Sequence, residues 1–118
     1  MIEEIVLNYL SAELSVPVLM EYPEVPSEDF PTLPEQFVVI ERVGGGIRNH
    51  IQSASLAFRS YGPSLYAAAA LDQLVREKMS DAPDLPDISG VRLSSNYNHS
   101  DSRTHQYRYQ CVWDIYFV

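Results

Sequence analysis

The chain has 118 residues, 46% of them hydrophobic and 20% charged. That fits a single globular domain over 1–118, large enough to bury a core without disulfides or metal, and excludes a disordered chain. The formal net charge is −8, which leaves one copy without the cations needed to displace counterions from a nucleic-acid backbone.

The acids are unevenly placed. Residues 1–41 hold nine (Glu3, Glu4, Glu13, Glu21, Glu24, Glu28, Asp29, Glu35, Glu41) and no Lys or Arg, whereas residues 42–118 hold seven acids and eight bases. The N-terminal stretch lacks the basic and continuous apolar regions of a signal peptide, and no apolar run has the length of a membrane span. Cys111 is the single cysteine. It can form no intrachain disulfide or zinc-type cysteine pair, and synthesis in a reducing cytoplasm is expected.

In chain order, Ile2, Ile5, Val6, Tyr9 and Leu10 form the stripe of an amphipathic helix over 2–12, with Glu3 and Glu4 suited to its positive end. VPVLME (16–21) reads as a strand, and Pro17 makes it an edge strand or one that enters the sheet late. Four prolines within 22–35 exclude a helix or central strand and predict an acidic extended arm. QFVVIERV (36–43) is apolar on both faces and predicts a covered strand. The next segment, 44–50, predicts a glycine-rich hairpin loop, and IQSASLAFRS (51–60) alternates as a second strand.

The span 61–80 predicts the longest helix, with Pro63 in its first turn. Its buried stripe is Leu65, Ala68, Leu71, Val75 and Met79, and Asp72 pairs with Arg76 four residues on. An acidic connection (81–90), a strand (91–97), a polar turn (98–104) and a long last strand (105–118) follow. Tyr107, Tyr109, Cys111, Trp113, Ile115 and Phe117 share one face of that strand. The predicted fold is α+β, in the order α-β-β-β-α-β-β. It has a mainly antiparallel sheet of about five strands and two helices on one face.

Gly44, Gly45 and Gly46 invite a phosphate-binding reading. Asn49 stands where either a P-loop or a dinucleotide fingerprint needs glycine, His50 replaces the P-loop lysine, and a strand follows where a helix must begin. What is left is a mobile hairpin tip. In its functional form the tip docks on a partner through Arg42, Arg48, Asn49 and His50. His99, Ser100, Asp101 and His105 are residue types found in triads and metal sites. Their adjacency in one segment points to a polar turn. Cys111 sits in an apolar strand and reads as a structural thiol. No constellation supports catalysis, and a binding or structural module is expected, without a cofactor or metal.

The chain resembles the tail terminator (tail completion, or neck) proteins of long-tailed bacteriophages. The resemblance runs from the N-terminal helix through LSVPVLMEYPEVPSEDFPTLPEQFVVIERVGGGIRNHIQSASLAFRSYGPSLYAAAALDQLV, and continues in LPDISGVRLSSNYNHSDSRTHQYRYQCVWDIYFV. Its most specific parts are P..FVVIERVGGG before an alternating strand and the set Tyr97, Arg108, Tyr109 and Asp114 near the end. The resemblance implies a homo-hexameric ring in the virion neck that caps the tail tube protein and meets the head–tail connector protein. DNA passes through such a ring without specific binding, and no enzyme activity is implied. An acidic ring would repel that DNA and let it slide. Candidate interface residues are Arg42, Gly44, Gly45, Gly46, Arg48, Asn49, His50 and Phe30. The alternatives are a head-side stopper or adaptor ring and a small non-viral ligand-binding α+β module.

Overall fold

A computed structural model describes residues 1–101, 103, 104 and 106–117. The elements are α1 (Ile2–Glu13), β1 (Val18–Leu19), β2 (Phe37–Arg48), β3 (Ile51–Gly62), α2 (Leu65–Ser80), β4 (Ile88–Asn98) and β5 (Tyr107–Phe117). A 3-10 turn at Ala82–Asp84 lies between α2 and β4. The five strands form one sheet in the order β1-β2-β3-β5-β4. β1 runs parallel to β2, and every other pair is antiparallel. The fold is α+β, with the predicted element order.

Strand alternation divides the sheet into two unlike faces. One face carries Val38, Ile40, Ala54, Leu56, Phe58, Cys111, Trp113 and Ile115. These pack against Ile2, Val6 and Leu10 of α1 and Leu71, Val75 and Met79 of α2 in one cluster. Both helices therefore cover the same face. The Tyr9 hydroxyl donates to the Lys78 carbonyl at 2.7 Å, tying α1 to the end of α2.

The opposite face has no helix. Its apolar part is a smaller cluster of Phe37, Val39 and Tyr61, with Leu19 against it. The rings of Phe37 and Tyr61 stack at 4.5 Å, and Tyr22 from the arm stands edge-on to both, at 5.7 and 5.6 Å. This explains why 37–40 is apolar on both faces: each face has its own cover.

β1 occupies the sheet edge and begins only after Pro17, so the strand expected over 16–21 is Val18–Leu19; the Pro17 carbonyl accepts from the Val38 amide at 2.9 Å. After Leu19 the chain leaves the sheet and stays without helix or strand until Phe37. Within that arm Ser27 and Phe30 close a tight turn. The Ser27 amide donates to the Phe30 carbonyl at 2.9 Å, and the Phe30 amide donates to the Ser27 hydroxyl at 3.0 Å.

Several boundaries differ from the sequence expectations. The predicted loop 44–50 shrinks to Asn49 and His50, because β2 continues through the glycines to Arg48. Residues 61 and 62 belong to β3, where Tyr61 pairs with Arg108 and Gly62 with Tyr107. α2 starts at Leu65 with Ser64 as its N-cap, so Pro63 precedes the helix and is not in its first turn. Leu65 is exposed, so the buried stripe of α2 begins at Ala68. No helix is long and apolar enough to cross a membrane.

Candidate functional site

The glycine segment is built as a strand with a tight end. Gly44, Gly45 and Gly46 lie opposite Ser55, Ala54 and Ser53 of β3. A bulge between Arg42 and Gly44 sets Val43 outside the register. Gly45 has φ +150°, and a Cβ there would stand 2.5 Å from the Ser53 carbonyl oxygen. At Gly46 a Cβ would meet nothing within 4 Å. The turn is Asn49-His50, with φ of 52° and 65°. Two consecutive left-handed residues give a two-residue hairpin whose twist matches its strands. Asn and His are among the non-glycine types that tolerate this region best.

The tip exposes apolar side chains: Ile47 is 76% exposed and Ile51 48%, with Val43 52% exposed at the bulge. Arg48 has no ion-pair or hydrogen-bond partner for its side chain among the described residues. Arg42 is differently placed. Its Nε donates to the Gly44 carbonyl at 3.3 Å, and its guanidinium lies 3.6 Å from the Glu3 carboxylate of α1. Of the predicted contact residues, the structure brings Arg48, Asn49 and His50 together at the tip. It holds Arg42 within its own chain and places Phe30 half-buried in the arm turn.

The helix-free face carries a polar ladder across four strands. Glu41 pairs with Arg59, and Arg59 Nε donates to Gln110 Oε1 at 2.9 Å. Gln110 Nε2 donates in turn to the Tyr97 hydroxyl. A second row runs from Ser55, whose hydroxyl donates to Asp114 at 2.7 Å, to Arg92, which reaches the other Asp114 oxygen at 2.8 Å. The Ser55 hydroxyl, then Arg92, hold the Asp114 carboxyl below its ordinary range.

At the opposite end of the β2–β3 hairpin from its tip is a groove of about 510 Å³. Leu33 and Pro34 of the arm form one side and Phe37 and Tyr61 the floor, with Glu35 and Asp101 among its polar lining. Gln106 also lines it and donates through Nε2 to the Tyr22 hydroxyl at 2.9 Å. Sequence reasoning missed this groove. Its walls come from segments far apart in the chain, and no local pattern marks it.

Of the span 98–104 expected as a polar turn, Asn98 ends β4, Arg103 and Thr104 lie in a turn, and Ser102 is outside the described residues. The Asp101 carboxylate accepts from the Arg103 amide at 2.9 Å, and Asp101 and Gln106 bridge as an isolated pair. That amide bond is the main reason the Asp101 carboxyl lies below its usual range. The His99 ring packs edge-on to Tyr97 at 5.6 Å. Burial, then Arg108 and Arg59, lower its pKa. His105 lies outside the described residues.

Cys111 is fully buried, and its thiol is pushed far up, first by burial and then by Asp72. Asp72, 1% exposed, is on the buried face of α2. Its Oδ2 accepts from Arg76 Nε at 3.0 Å and from Asn96 Nδ2 at 2.8 Å. It therefore joins α2 to β4 as well as making the expected pair within the helix. The signal was present in the sequence, since Asp72 lies four residues after Ala68 and three before Val75, on the buried stripe.

Among known proteins, no family model matches the sequence, and no curated protein matches it significantly.

Proposed function

We propose that this chain is a structural subunit of a long-tailed phage particle: a tail terminator that assembles into a ring, caps the tail tube and joins it to the head connector. The supporting observation is the polarity of the β2–β3 hairpin. One end presents an apolar tip with Arg48 and His50. The other end presents an acidic arm and an aromatic-floored groove. Two unlike contact surfaces on one copy are what a heterologous, ring-closing interface needs. The resemblance, most specific in P..FVVIERVGGG and in the last strand, is to tail terminators, with a head-side stopper or adaptor ring as the alternative. The acidic first third of the chain suits a passage through which DNA slides.

Mixing the purified chain with polymerising tube subunits tests this reading. The expected result is tubes that stop growing at the capped end, with the chain seated there. Tubes of unchanged length with no bound chain would contradict it, and binding to the head connector alone would favour a stopper or adaptor. The groove supports a second reading, a small ligand-binding module, because its volume falls within the roughly 300–1,000 Å³ of ligand pockets. That reading calls for a monomer.

A further inference from the structure

Resting on the ring reading, we propose that the hairpin tip of one copy seats in the arm groove of the next. Exposed apolar groups beside a charge mark interaction sites: Ile51 and Arg48, paired across the hairpin, share the helix-free side of its tip, and Ile51 is 48% exposed, whereas Ile47, paired with Gln52, lies on the other side. A groove of about 510 Å³ belongs to the size class that encloses a drug-sized molecule. It accommodates one branched side chain, that of Ile51, against Leu33 and Pro34.

The charges match. The tip brings Arg48, which has no partner among the described residues, and the groove rim brings Glu35 and Asp101. The arm adds Glu21, Glu24, Glu28 and Asp29 without a single base. Opposite charges across such a contact steer encounter and fix register. Tip and groove lie at opposite ends of one hairpin, so the contact is head-to-tail and each copy both gives and receives. Such a contact makes a ring when its rotation closes.

The test uses the whole chain and reads assembly by light scattering, with circular dichroism to confirm folding. Ile51→Asp and Arg48→Glu change exposed side chains on one side of the tip, and each is expected to weaken assembly at least tenfold while the fold persists. Glu35→Arg combined with Arg48→Glu is expected to recover assembly. A mixture of Ile51→Cys and Leu33→Cys chains, treated with a short thiol-bridging reagent, is expected to give a linked dimer that neither chain gives alone. The buried Cys111 does not compete for the reagent.

Wild-type-sized assemblies from both Ile51→Asp and Arg48→Glu would overturn this contact and leave the ring standing. A wild-type chain that stays monomeric at every concentration would overturn the ring, and this contact with it.

Discussion

Gly45 shows at the scale of a single residue why three glycines stand in a row. Its φ of +150° and the approach of the Ser53 carbonyl leave no room for a Cβ, while Gly46 faces open space. The run therefore serves a close backbone approach beside a bulge and makes no phosphate cradle. Gly45→Ala is expected to cost about 1–3 kcal/mol of stability through strain. Gly46→Ala is expected to be neutral or to gain about 0.5 kcal/mol from a less flexible unfolded chain. Chemical denaturation midpoints measure both, and equal effects at the two positions would contradict the assignment. Sequence reasoning found the special segment without distinguishing its glycines, because the distinction depends on Ser53 across the hairpin. The Glu3 contact of Arg42 was not legible for a related reason: Glu3 meets it only after α1 packs against β2.

Among the elements, those with a strong local pattern were legible. The stripe of α1, the alternation of β3, the edge position of β1 and the proline arm each follow from spacing or from a missing amide donor. β2 was read too short because glycine has low strand propensity. Pairing with β3 overrides that propensity as far as Arg48. At α2 the proline drew the predicted start too early, and the decisive residue is Ser64, whose hydroxyl accepts from the Ala67 amide at 3.1 Å. Ser64→Ala should cost about 1 kcal/mol, the usual value of a lost N-cap. A shift in thermal midpoint checks this, and an unchanged midpoint would mean that Gly62 and Pro63 set the helix start without the cap.

For the whole molecule, two helices on one sheet face were legible from the layer rule, whereas the strand order and the groove were not. Both depend on long-range packing of the arm, β2, β3 and the β4–β5 turn. The chain measures 44 × 30 × 22 Å along its principal axes, and its long hairpin separates a basic apolar tip from an acidic aromatic groove. That separation is the physical basis for reading the protein as one link of a closed ring. The most direct measurement is negative-stain imaging of the purified wild-type chain at concentrations where light scattering detects assembly. The account predicts closed rings with a central hole and one particle size. Monomers at every concentration, or open filaments and irregular sheets, would contradict it.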